Sequence, residues 1–212
     1  MLGKAALLPL AFVLASCVQR PHVPPVLVVD RVSCDRTLVS NDGAVLKFDP
    51  KSPVESNLRL TPEARCIEAE DGSRDYYAAF ALPQTNARYT LSVGAAPEDV
   101  SLLAPQILLL DDQGTVTRRL TAPQFLFRGN QLTALVQPRP NETRMIVMSD
   151  HTLVGQTTSR ILQMITTSSW SAVTPRFTIV GQIRTGDENR IDSTFSFVGP
   201  MTIGTVPIAP AG

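Results

Sequence analysis

The chain has 212 residues, 43% of them hydrophobic and 18% charged, with 19 basic side chains balancing 19 acidic ones. That length suffices for one well-filled core or two small domains. The zero formal charge removes the electrostatic case for binding DNA, RNA or acidic lipid headgroups, since such partners call for an excess of Lys and Arg.

At the N-terminus, Lys4 precedes an apolar run from Ala5 to Ala15. About eleven residues fall short of the ~20 that a helix needs to cross a bilayer core. They suit the apolar segment of a secretion signal. The run closes on Leu14-Ala15-Ser16-Cys17, which resembles the lipobox of bacterial lipoproteins. The resemblance implies that residues 1–16 are a signal peptide and that Cys17 receives lipid, palmitate included, making a membrane the first partner. One acyl chain contributes only about 0.8 kcal/mol per buried CH₂ and holds marginally, so stable anchoring takes two or more. Val18, where an Asp would signal inner-membrane retention, implies by the same resemblance an outer-membrane lipoprotein facing the periplasm. Pro21, Pro24 and Pro25 make 17–25 an extended tether of about 25 Å, ahead of a single domain over 26–212. Losing Lys4 would leave the mature chain with one net negative charge.

Two further cysteines, Cys34 and Cys66, form an even remainder. In an exported chain that reads as a disulfide, and closing a loop of about 33 residues stabilises by roughly 3–4 kcal/mol in the chain-entropy model. They lack the paired spacing of a zinc site or of a Cys-x-x-Cys redox pair.

Downstream, short apolar runs alternate with turn residues, which predicts strands. Val26–Val29 is a first strand or its approach. Ala44–Phe48 follows a turn at Gly43. Tyr77–Leu82 and Arg88–Val93 alternate and are expected to pair as a hairpin through Pro83–Asn86. Gln106–Leu110 is continuously apolar, as in a strand buried on both faces. Gly114 supplies the positive φ of the next turn, and Thr115–Leu120 returns from it. Further strands are expected at Gln124–Phe127, Gln131–Val136, Arg144–Met148, Arg176–Ile183, Ser193–Val198 and Met201–Val206. Between them, Leu153, Val154, Ile161, Leu162 and Ile165 fall at helical spacing behind an Asp150 or Thr152 cap, predicting one helix near 150–165. The fold class is mainly β: an antiparallel β-sandwich with that one helix.

With the strands placed, three motifs resemble the maltose operon periplasmic protein (MalM) family. They are Phe80-Ala81-Leu82-Pro83, the strand Pro105–Asp111 with its Gly114 turn, and Gln156-Thr157-Thr158. The likeness covers roughly Tyr76 to Ile165. It implies an envelope protein linked to maltodextrin uptake, and it brings no catalytic residues.

Catalytic signals are sparse. The chain has two histidines; His22 lies in the tether, so a Ser-His-Asp hydrolase would rest on His151 beside Asp150. No Gly-x-Ser-x-Gly is present. The acidic pairs Asp111/Asp112, Glu68/Glu70 and Asp187/Glu188 sit in polar, turn-like sequence, where solvated charge is the ordinary outcome. No calcium loop, phosphate loop or dinucleotide motif occurs, so no cofactor or metal is expected, nor an enzyme. Trp170, flanked by serines, and Tyr76 are the candidate ligand surface. The expected role is therefore a non-enzymatic envelope lipoprotein, accessory to carbohydrate handling or outer-membrane assembly, with a carbohydrate or envelope protein as partner. The alternatives are a structural subunit of a surface or secretion complex, and a hydrolase using His151.

Overall fold

A computed structural model describes residues 23–31, 33–173 and 178–209, with side chains left out over 162–189. Cys17, the signal segment and most of the tether lie outside the described residues. The strands in chain order are β1 (Ala44–Val45), β2 (Val54–Leu60), β3 (Arg65–Glu68), β4 (Arg74–Ala81), β5 (Tyr89–Ala95), β6 (Ser101–Leu103) and β7 (Pro105–Leu110). They continue as β8 (Val116–Leu120), β9 (Leu126–Arg128), β10 (Gln131–Val136), β11 (Arg144–Ser149), β12 (Thr157–Val173), β13 (Thr178–Ser196) and β14 (Gly199–Pro207). A 3₁₀ turn at Ala122–Gln124 stands between β8 and β9.

Two sheets build the body. The first runs β1-β4-β11-β7-β8, with β3 also pairing β4; the second runs β2-β14-β5-β10-β9. Alternation explains why they stack. Tyr76, Phe80, Ile107, Leu109, Met145 and Val147 of the first sheet join Leu91, Val93, Ala134, Met201 and Ile203 of the second in one buried cluster. Residues one step out of phase, Tyr77, Leu108, Leu110, Ile146 and Met148, form a second cluster on the outer face of the first sheet. A sheet apolar on both faces must be covered on both, so β7 is buried along its whole length.

The cover comes from residues 33–40. Cys34 and Cys66 are disulfide-bonded, as the cysteine count predicts. Beside the bond, the Asp35 amide donates to the Cys66 carbonyl (2.8 Å) and the Glu68 amide to the Asp35 carbonyl (2.9 Å). The Tyr77 hydroxyl donates to Asp35 Oδ2 (3.0 Å) and accepts from the Val39 amide (3.2 Å). Leu38 then packs on the outer cluster. Gly43 is required where β1 approaches β4, because a Cβ there would stand 2.7 Å from the Ala79 carbonyl carbon.

Three expectations are corrected. β4 and β5 do not form a hairpin: β4 lies in the first sheet and β5 in the second, so the Pro83 loop carries the chain between layers. The segment expected as a helix near 150–165 is a turn followed by a strand. Asp150 does cap, its Oδ1 accepting the Thr152 amide at 3.1 Å, but the turn ends at Gly155 with φ +85°. Beyond it Thr157, Thr158, Ile161, Ile165, Thr166 and Thr167 are β-branched and favour strand, and β12 pairs with β13 from Thr157↔Thr194 to Val173↔Thr178. The strands expected at 176–183 and 193–198 overlap one long β13, over 178–183 and 193–196, with 176–177 outside the described residues; β13 reaches the body by a parallel pairing of Thr194–Ser196 with β6. β2 and β3, whose polar alternation hid them, complete the sheets.

Candidate functional site

An open cleft of about 560 Å³ lies on the outer face of the first sheet. Its floor is aliphatic, made by Leu38, Ile67, Leu108 and Met148. Sheet order sets the rest: β4, β11, β7 and β8 lie side by side. Side chains from each strand's outer face therefore line the cleft in sequence across it.

At one end stands Asp75 of β4, only 6% exposed, on the same face as Tyr77 two residues on. Its Oδ2 lies 2.7 Å from His151 Nδ1, and its Oδ1 accepts the His151 amide (2.9 Å) and the Ser149 hydroxyl (3.1 Å). The Ser149 oxygen in turn accepts the Tyr76 amide (2.9 Å). Burial pushes the Asp75 carboxyl above its ordinary range, and the bonds from His151 and Ser149 only partly offset that. A carboxylate at Nδ1 places the neutral imidazole's proton on that nitrogen and leaves Nε2 as an acceptor. The wiring is Ser–Asp–His, with the carboxylate in the middle. Among the described residues no hydroxyl or thiol is bonded to His151.

At the other end stand Gln106 of β7 and Arg119 of β8. Arg119 Nη1 donates to Gln106 Oε1 at 3.2 Å, which fixes the amide so that its nitrogen is the free donor. The adjacent Arg118 turns the other way. It forms a fork on Glu142, Nε to Oε1 at 2.7 Å with Nη2 on Oε2. Glu142, 3% exposed, also accepts the Arg139 amide (2.7 Å) and the Thr117 hydroxyl (2.9 Å). Burial works to raise this carboxyl, but the bonds from Arg118, Arg139 and Thr117 outweigh it and hold Glu142 below its ordinary range.

The residues singled out from sequence fare differently. Tyr76 is 1% exposed and sits edge-on to Phe197 in the core, so it is removed from any ligand surface. Its alternation partner Tyr77 is also buried, on the opposite face, because residues 33–40 cover it. Trp170 stands on β12 opposite Gly181, with its side chain outside the described residues. His151 partners Asp75, 76 positions away, and not the neighbouring Asp150. No local signal marks Asp75, and Gln106 and Arg119 likewise read as ordinary strand residues. Asp111 caps its own turn, accepting the Gln113 and Thr115 amides. Glu68 is ion-paired with Arg74 and Arg36. Asp187 and Glu188 lie on β13, opposite Met164 and Gln163.

Residues 72–159, less than half of the chain, match a family model described as maltose operon periplasmic protein precursor (MalM). The matched stretch takes in β4 to β11 and with them Asp75, Gln106, Arg119 and His151. No curated protein matches the chain.

Proposed function

We propose, from the premise that residues 72–159 assign the chain to the maltose operon periplasmic protein family, that it works by binding as an envelope protein accessory to carbohydrate handling. The family match supports a periplasmic, maltose-operon-associated role, and it is the observation that carries this reading. The matched stretch also covers the strands that build the cleft.

The lipid anchor belongs to the same reading. The Leu14-Ala15-Ser16-Cys17 sequence supports acylation of Cys17 and residence at the outer membrane, ahead of one domain over 26–212. Palmitate labelling should be incorporated by the native chain and lost in Cys17→Ser, with the protein moving to the soluble periplasmic fraction. Labelling that survives the substitution would dismiss the anchor.

Trp170 is the single tryptophan, so its fluorescence reports the hairpin alone. In the proposed role maltoheptaose changes that emission saturably, and Trp170→Ala removes the affinity. A flat titration would sink the sugar reading. A structural subunit is the second reading, favoured by the β12–β13 hairpin, whose strand pairing with the body among the described residues is Thr194–Ser196 with β6. Its outer edges offer strand addition to a neighbour. The hydrolase reading has an oriented imidazole in its favour, yet the Ser149 hydroxyl is committed to Asp75. It requires hydrolytic activity lost in His151→Ala; an unchanged rate dismisses it.

A further inference from the structure

We propose that the cleft on the outer face of the first sheet binds a small anionic amphiphile, its carboxylate or phosphate head held by Arg119 and Gln106 and its aliphatic body lying on the sheet.

The head-group end presents donors. Gln106 is 7% exposed and lines the cleft. Its carbonyl oxygen is taken by Arg119, and its amide nitrogen has no hydrogen-bond partner among the described residues. Gln106 itself is largely buried, and its amide nitrogen, on the cleft side with no acceptor among the described residues, is a donor available to a ligand. Arg119 uses one N–H on Gln106 and has no ion pair among the described residues, so the rest of its planar fork remains for a carboxylate or phosphate. Its neighbour Arg118 shows the contrast, since that guanidinium is consumed by Glu142.

The body of the ligand follows from the floor. Leu38, Ile67, Leu108 and Met148 are aliphatic, and no Phe, Tyr or Trp is among the lining residues. Sugar rings are commonly held against aromatic faces, so this floor suits alkyl carbon better. The cleft volume falls in the ordinary range for small-ligand sites. From β8 back to β4 is three strand spacings, about 14 Å, which accommodates a medium-length chain.

Two carboxylates also line the cleft: Asp75 on β4, and Asp150 directly after β11, the strand beside β7. Asp75 is bonded to His151 and Ser149. Asp150 Oδ1 accepts the amide and hydroxyl of Thr152. Across the sheet Asp75 is two strand spacings, about 10 Å, from Gln106, beyond the ~8 Å Debye length of physiological salt, whereas Asp150 is one strand over from β7. Repulsion from Asp75 is therefore screened, and that from Asp150 is countered by the Arg119 guanidinium and by the Thr152 donors on its carboxylate.

Calorimetric titration of the purified full-length chain with octanoate, octyl phosphate and octan-1-ol tests the assignment. One anion or both should bind saturably at one site, at least tenfold tighter than the alcohol. Whichever head is preferred names the source, an acid or a phosphate ester. Arg119→Ala, at an exposed position, should weaken the anion at least tenfold with an unchanged melting temperature, and Gln106→Leu should weaken it several-fold. If Gln106→Leu fails to fold, Arg119→Ala decides alone. Absence of saturable anion binding, equal affinity for octan-1-ol, or native affinity in Arg119→Ala would each overturn the proposal. None of these outcomes touches the maltodextrin reading, which is tested at Trp170 on the hairpin.

Discussion

Glu142 and Asp75 are both buried carboxyls of the first sheet's surroundings, and they respond to burial in opposite senses. Glu142 receives Arg118 and two further donors and is held low. With a folded value below the unfolded one, its contribution to stability is complete above the ordinary Glu range and is lost as pH falls through the folded value. Glu142→Ala leaves Arg118 without its partner, at a cost of about 3 kcal/mol, the low end for a broken buried pair because Arg118 keeps some solvent. The urea midpoint at neutral pH measures it. Asp75 is held high, so the sign reverses. Ionising it in the fold costs more than in the unfolded chain, and its contribution declines as pH rises from the ordinary Asp range through its raised value. Asp75→Asn should flatten the part of the stability profile that begins at the ordinary Asp range and runs upward in pH. A slope identical to that of the native chain would refute the assignment.

At the scale of elements, the disulfide clips a cover onto a sheet face. Without the Cys34–Cys66 bond, residues 33–40 are free to lift from Tyr77 and Leu108. A Cys34→Ser, Cys66→Ser double variant should lose roughly 3 kcal/mol, in line with the entropy of a loop of about 33 residues. Its tyrosine absorbance should shift as Tyr77 meets water, and a native urea midpoint would show that the cover holds unaided. The hairpin behaves differently. β12 pairs with β13 along its length, and among the described residues the strand pairing that joins this sheet to the body is that of Thr194–Ser196 with β6. Replacing residues 162–189 by Asn-Gly joins Ile161 to Arg190, which already face one another, through a two-residue turn that suits such a pair. The body should then melt within a few degrees of the native chain. A large fall in melting temperature would mean that the arm stabilises the body.

Across the whole molecule, alternation was the most legible signal. Gln131–Val136 forms a strand with those bounds, and the apolar run at 106–110 lies buried as an interior strand between β11 and β8. The Gly114 turn and the disulfide were readable because each rests on chemistry that needs no partner sheet. The helix near 150–165 was misread because apolar spacing over a few residues fits two periods, and pairing over 17 residues with β13 decides between them. The cleft was illegible for another reason. Asp75 and His151 are 76 positions apart, and the spacing of Gln106 and Arg119 gains meaning only when β7 and β8 lie in register.

The sequence by itself determined the mainly β class, the disulfide and the family likeness, together with the lipobox-like start that fixes the expectation of an anchor. These depend on residue type, local alternation and short motifs, which carry their physics along the chain. The tertiary structure decided which sheet each strand joins, which tyrosine faces which layer, and which arginine is spent on a buried carboxylate and which is left at the cleft. Those outcomes depend on pairing between distant strands. Hydrogen bonds across a sheet are blind to sequence distance, and no single segment holds the information that places Asp75 against His151 or frees Arg119 for a ligand.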